Sequence, residues 1–298
     1  MPANYKRPSW RRPLTVLTVI AVILAGAGYA AYTAYQHIVV QMLITPGCQA
    51  GTGANALQLD FVQASDAAII AGVAERKHLP RKALVIAYAA ALQESKLENL
   101  SYGDLDSVGI FQQRPSQGWG KASQLQDPAF ASTAFFNALV KVPRYTRLAV
   151  YQAAQAVQHS ADGYAYQQYA QTGAALAAYF TTAHHAVTCW YDPASQAASN
   201  NVSTKLNLPA ARKGLEDTFG KAGRNGPVLR ESTGRSANSG TFGVTAAGGW
   251  AVANWLVTNA SSYGITHVRY GGYQWTAGLR ETAWQADPGR GSGSIVAS

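Results

Sequence analysis

The chain has 298 residues, 48% of them hydrophobic and only 13% charged. The apolar share allows a sizeable core, and a charged share about half the usual value of roughly 25% excludes a disordered acidic segment or a coiled coil. The formal charge is +9, but Lys6, Arg7, Arg11 and Arg12 precede any acidic residue and no basic run follows, so the charge is poor evidence for nucleic-acid binding and fits equally a protein working beside an anionic surface.

Residues 1–13 read as a basic tail and 14–36 as a transmembrane signal anchor. From Leu14 to Tyr35 there is no charged residue, and as a helix this run reaches roughly 33 Å, enough for a bilayer core of about 30 Å. A cleaved signal is the rival reading, with Ala25-Gly26-Ala27 as the cleavage step. The apolar character continues through Tyr29, Ala30, Ala31 and Tyr32, which favours retention. The basic flank then stays in the cytoplasm and everything from about residue 37 lies outside. One span without an ionisable group is not a transporter.

Residues 37–59 read as a spacer containing GCQAGTGANA. Helical periodicity dominates residues 60–190. Ser65 is placed to cap a helix carrying Ile69, Ile70 and Val73 and stopping at Pro80. Pro80 leads the next helix, with Leu84, Tyr88, Ala91 and Leu92 on one side. The stretch Asn99 to Asp127 is rich in Gly, Pro, Gln and Ser and reads as a long loop, the kind that carries function. Asp127-Pro128 opens a helix with Phe130, Phe135, Phe136 and Leu139, and two further helices are expected near Arg147–Ser160 and Tyr164–Cys189. Cys48 and Cys189, the chain's two cysteines, are expected to pair if the chain is exported. The competing metal site of His184, His185 and Cys189 lacks a fourth ligand.

A polar linker is expected over 191–205, then a small α/β domain over 206–298. Its elements are a helix around Pro209–Gly220, a Gly/Ser/Asn-rich stretch Gly223–Gly240, a helix Trp250–Tyr263, and a hairpin turning at Gly271-Gly272 after the alternation Thr266, Val268, Tyr270. The fold class is mainly α, with one helical domain after the N-terminal span and a small mixed domain behind it.

Glu94 carries the most chemistry. It sits near the end of the Pro80-led helix with Ala87, Ala90, Ala91 and Leu97 at helical spacing. A carboxyl on such a face is desolvated and held protonated, which suits a general acid for glycosidic cleavage; the plain alternative is a surface Glu at a fraying helix end. The following loop supplies Tyr102, Asp104, Asp106, Gln112, Gln113, Gln117 and Trp119, side chains suited to stacking on and hydrogen bonding with sugars.

Glu94-Ser95-Lys96-Leu97, followed by Ser107-Val108-Gly109-Ile110-Phe111-Gln112, resembles the paired motifs of soluble lytic transglycosylases and goose-type lysozymes. The string ALQESKLENLSYGDLDSVGIFQQRPSQGWG is similar to an actinobacterial, lysozyme-like branch. The resemblance covers roughly Cys48 to Cys189 and implies a lysozyme-like helical domain that cleaves the MurNAc-GlcNAc β-1,4 bond of peptidoglycan. It assigns Glu94 as acid/base and implies that Gly109, Ile110, Phe111 and Gln112 line the glycan groove. Ser95, Tyr102, Gln113 and Trp119 join them as expected substrate-binding residues.

The family's third element, Ala-Tyr-Asn, is absent; the corresponding stretch reads Ala153-Ala154-Gln155-Ala156-Val157-Gln158, and Tyr164, Tyr166 and Tyr169 are the candidates to replace its tyrosine. A transglycosylase needs one Glu, whereas a hydrolase needs a second carboxylate. Asp104 and Asp106 are the nearby acids, with turn-capping as their structural alternative; Arg114 and Trp119 have comparable structural readings. The C-terminal part faintly resembles zinc D-Ala-D-Ala carboxypeptidase-like modules but keeps only His267 of the expected ligands, so a metal-free, wall-binding unit is expected and no cofactor. The expected partners are peptidoglycan strands and, through one helix, the membrane, with no nucleic acid. A non-catalytic peptidoglycan-binding scaffold is the rival from another class.

Overall fold

The computed structural model describes residues 11–43, 45–160, 162–181, 185–193, 205–221, 228–231, 240–243, 248–279, 283–288 and 294–298. Lys6, Arg7, His184, most of the expected linker and most of Gly223–Gly240 lie outside them. Two compact units emerge, Met1–Thr45 and Pro46–Ser298.

The described residues of the first unit form one helix, α1 (Arg11–Leu43). Leu17–Tyr35 within it is apolar and long enough to cross a membrane, as an anchor or a signal sequence does. The helix runs past residue 36, so the expected spacer over 37–59 begins as helix. Its later part is also ordered: β1 (Gly47–Ala50) and β2 (Leu57–Leu59) pair antiparallel.

In the second unit, α2 (Phe61–Arg76) is capped by Asp60, not Ser65. The Asp60 carboxylate accepts from Gln63 N at 2.8 Å, and Gln63 Oε1 accepts from Asp60 N at 3.1 Å, a reciprocal capping box. Ser65 therefore falls inside the helix, where its hydroxyl donates to Asn259 Oδ1 at 2.8 Å. Next comes α3 (Arg81–Ser95), in which every residue from Ala83 to Ala91 is buried. A helix apolar on all sides has to be surrounded. Packed on it are α2, α5 (Pro128–Leu139), α6 (Val150–Gln158) and α7 (Ala170–Thr181). Asp127 caps α5 as expected, accepting from Ala129 N at 2.9 Å; a one-turn helix, α4 (Ala122–Leu125), precedes it.

The long helix expected over Tyr164–Cys189 is broken into three pieces. A 3-10 helix spans Gly163–Tyr169, α7 follows, and the chain then enters β3 (Val187–Trp190). Pairing overrides helical periodicity here. β3 is held antiparallel to β1 with Cys48 opposite Cys189, and the two cysteines form a disulfide.

The boundary expected at 191–205 does not separate two bodies, because residues 46–298 share one core. After α8 (Leu208–Phe219), β4 (Val228–Glu231) and β5 (Gly240–Gly243), the helix α9 (Gly249–Thr258) is buried along its whole length, and the short α10 (Ala260–Tyr263) follows. Such a helix needs cover on both flanks, and it takes α2 on one and β3 with the C-terminal sheet on the other. That sheet, order β4-β5-β9-β6-β7-β8, adds β6 (His267–Tyr270), β7 (Tyr273–Thr276), β8 (Gln285–Ala286) and β9 (Ser294–Ala297). The β6–β7 hairpin turns at Gly271-Gly272, as its alternation predicts.

β3 lies at the edge of its own sheet, a position that leaves alternate carbonyls unpaired. Two indoles fill them: Trp284 Nε1 donates to Val187 O at 2.8 Å and Trp275 Nε1 to Cys189 O at 3.1 Å. Tyr191 continues the contact, its N–H donating to Gly278 O and its hydroxyl to Ile265 O. Trp275→Ala removes a fully buried ring and leaves the Cys189 carbonyl without its donor, at a cost of about 3–5 kcal/mol; the shift of the urea midpoint of residues 46–298 measures it.

Asp66, on α2, is 4% exposed, and its Oδ2 has no hydrogen-bond partner among the described residues. Burial pushes its carboxyl well above the usual range, helped by the charge of Asp60 and opposed by the Asn99 backbone N–H. A carboxyl whose pKa is raised on folding stabilises the fold fully below the unfolded value and loses that contribution as pH rises through the folded value. Asp66→Asn is therefore expected to melt above the parent at pH 8, with the difference closing towards pH 4; thermal unfolding across that range tests it.

Candidate functional site

Glu94 lies in the last turn of α3, half-buried where the helix leaves the core. The exit is built by its neighbours. Ser95 is buried and its hydroxyl donates to Ile110 O at 2.8 Å and Ala91 O at 3.2 Å, tying the helix end to the loop. Lys96 and Leu97 then take left-handed backbone conformations, with φ of 59° and 65°, which turn the chain sharply and return Leu97 to the core. Two successive non-glycine residues in that region cost free energy that the surrounding packing has to offset. Gln63 Nε2 holds Lys96 O at 3.0 Å, and the Lys96 ammonium contacts the Tyr169 hydroxyl and lies 4.6 Å from the centre of its ring.

Two donors converge on one oxygen of the acid. The Tyr166 hydroxyl donates to Glu94 Oε1 at 2.6 Å, and Gln158 Nε2 donates to the same atom at 3.1 Å. Gln158 Nε2 also reaches Phe111 O at 2.8 Å, so the end of α6 joins the acid to the loop. Burial first, then the hydrogen bond to Glu94 and its charge, push the Tyr166 hydroxyl far above its ordinary pKa. Tyr166 therefore remains a donor at any working pH. With Oε1 occupied by two donors, a proton on Glu94 is directed to Oε2.

The loop after α3 is cross-tied. Asn99 Nδ2 donates to Gln126 O, Gln126 Nε2 to Leu100 O, and Gly109 N to Leu100 O, while Val108 and Gln113 exchange backbone hydrogen bonds. Gly109 has φ 81°, and a Cβ there would stand 2.3 Å from Leu125 O, so only glycine fits. Ile110 and Phe111 are fully buried, Phe111 stacking on Phe135 at 4.5 Å; whatever they offer a ligand comes from backbone. The Gln112 amide donates to the loop's own carbonyls, Tyr102 O and Gly109 O, and leaves no room for a side chain at Gly103. Gln113 is buried and donates to Ala131 O. Trp119 is half-buried against the core. Tyr102 is the open member of the expected set, 71% exposed. The motif around Gly109–Gln113 thus orders the loop through buried and backbone contacts and offers few free side chains.

Of the two candidate second acids, Asp106 is held by its own loop. Its Oδ1 accepts from Arg114 Nε at 2.7 Å and Ser116 Oγ at 2.9 Å, and its Oδ2 from Ser116 N at 2.7 Å. The Arg114 hydrogen bond, followed by that of the Ser116 N–H, lowers its pKa to about 2. That is the turn-ordering role, and a carboxylate of such low basicity is a weak base for activating water. Asp104 is exposed, with its backbone carbonyl closing a turn to Ser107 N.

The disulfide commits Cys189, which removes the His184, His185 and Cys189 metal set. His267 is exposed beside Thr266 Oγ1, and among the described residues no three His, Cys, Asp or Glu side chains gather to hold a metal. The sequence offers three tyrosines, Tyr164, Tyr166 and Tyr169, and does not single out Gln158. The signal for Tyr166 was its place in the one aromatic-rich segment between α6 and α7; for Gln158 it was the polar end of an otherwise alanine-rich helix. No known family model matches the chain, and no characterised protein matches it in sequence.

Arg114→Gln removes the main cause of the low Asp106 pKa. Its carboxyl is expected to titrate well above 2, towards the ordinary value near 3.9, while the parent's loop keeps the Asp106 contribution down to about pH 2; carbon-13 NMR of labelled aspartates reads both.

Proposed function

We propose that the chain is a peptidoglycan-cleaving enzyme that breaks the MurNAc-GlcNAc β-1,4 bond as a lytic transglycosylase, with Glu94 as its single acid/base. The observation that carries this reading is the convergence of Tyr166 and Gln158 on Glu94 Oε1, an arrangement that orients a carboxyl for proton transfer from its other oxygen. The motif resemblance of Glu94-Ser95 and Gly109–Gln112 supports it. So does the state of Asp106, whose carboxylate is bound by Arg114 and Ser116 and is of low basicity.

In this mechanism protonated Glu94 gives its proton to the glycosidic oxygen as the bond from that oxygen to the muramic C1 breaks. The Glu94 carboxylate then takes the proton of the sugar's own 6-hydroxyl while that oxygen bonds to C1. A 1,6-anhydro ring forms, no water is consumed, and the acid is restored. Tyr166 and Gln158 hold Glu94 through both steps. The disulfide fits an oxidising, extracytoplasmic setting. The apolar helix, with Tyr29, Tyr32 and Tyr35 exposed towards its C-terminal half, fits a single-span anchor with an aromatic belt on the outer side. The compact unit would then face the wall.

Purified peptidoglycan incubated with residues 46–298 tests the reading. Glu94→Gln is expected to abolish muropeptide release while glycan binding persists, and Tyr166→Phe to lower turnover by about 10–100-fold. Digests should contain 1,6-anhydro ends; products about 18 Da heavier, one water, would make the enzyme a hydrolase, and binding without release by the parent would make it a scaffold.

A further inference from the structure

The connection between α5 and α6 is a run of tight turns with one chemistry on each side. Lys141 N donates to Ala138 O, Val142 N to Leu139 O, Tyr145 N to Val142 O and Arg147 N to Arg144 O, at 2.8 to 3.3 Å. The repeat is three residues. Val142, Tyr145 and Leu148 pack on the core, whereas Lys141, Arg144 and Arg147 are exposed. Packing thus fixes three cations on the outer side of a backbone that is itself hydrogen-bonded. No acidic residue occurs between Asp127 and Asp162, and the ion pairs among the described residues involve none of the three.

This turn leads directly to the acid. It runs into α6, whose first turn carries Tyr151 and whose last residue, Gln158, holds Glu94. Tyr151 meets Tyr164 edge to face at 4.9 Å, and Tyr164 is 65% exposed, two residues before Tyr166. α6 thus spans roughly 13 Å, with Gln158 on Glu94 at its end and Tyr151 and the cationic turn at its start.

We infer that the Lys141, Arg144 and Arg147 turn binds the carboxylates of acidic peptides carried on the glycan, with Tyr151 and Tyr164 forming the apolar contact between peptide site and acid. This deepens the reading of Glu94 given above and rests on it. Arg144 and Arg147 offer planar forks that match carboxylate geometry, and Lys141 adds a point charge. The substrate class is then a peptide-bearing strand rather than a bare one.

The test uses the full chain in detergent micelles carrying Glu94→Gln, so that nothing is cleaved, and fluorescent soluble glycan strands prepared with their peptides or with the peptides removed by an amidase. Peptide-bearing strands are expected to bind about tenfold tighter at low salt, with the difference shrinking as salt screens the contact. Adding Lys141→Gln, Arg144→Gln and Arg147→Gln together should erase that difference and leave binding of bare strands unchanged. Arg147→Gln alone, at an exposed position, should fall in between. Equal affinity of the starting protein for both strands, or a preference that survives the triple substitution, overturns the inference while leaving the Glu94 reading in place. Binding of neither strand overturns both.

Discussion

Everything about the site follows from a helix with no polar side. α3 is buried from Ala83 to Ala91, so it can exist only inside a ring of other helices. Its first polar residues after that stretch, Gln93 and Glu94, emerge where the ring opens. The ring then supplies the partners: α6 ends at Gln158, and the 3-10 helix before α7 carries Tyr166. Burial of the helix body and orientation of the carboxyl are consequences of one packing arrangement.

The loop from Asn99 to Asp127 is held to this helix end rather than left mobile. Ser95 reaches Ile110 O, Gln158 reaches Phe111 O, and the carboxylate of Asp106 gathers Arg114 and Ser116. Each tie uses a backbone carbonyl or a charge-assisted bond, the kinds that hold position in a partly wet site. A loop tied in this way keeps its distance from Glu94.

Much of this arrangement was legible in the residues. Helical spacing placed Glu94 near a helix end, Asp127-Pro128 marked a cap, and Gly271-Gly272 marked a hairpin. What escaped depends on contacts far apart in sequence. Ser65 reads as a cap because Ile69, Ile70 and Val73 follow it at helical spacing, but Asp60 is the acceptor with Gln63 in register. Val187–Trp190 looked like the end of a helix and became a strand because β1, some 140 residues earlier, provides its partner. Tyr166 could not be told from Tyr164 and Tyr169 by spacing, since a 3-10 helix rotates its residues differently from an α-helix. The expected domain boundary failed for the same kind of reason. Composition changes after residue 190, but α9 is too apolar to belong to a small module by itself.

The sharing of α9 between the first helices and the C-terminal sheet has a consequence for how the chain can be divided. Its attachment runs through a buried helix face, Ser65 with Asn259, and the indoles of Trp275 and Trp284 on β3, not through the peptide bonds of residues 194–204. Cutting the chain there would leave two polypeptides that still recognise each other by complementary apolar surfaces. One such piece would end with the disulfide strand, and the other would bring the tryptophans that close it.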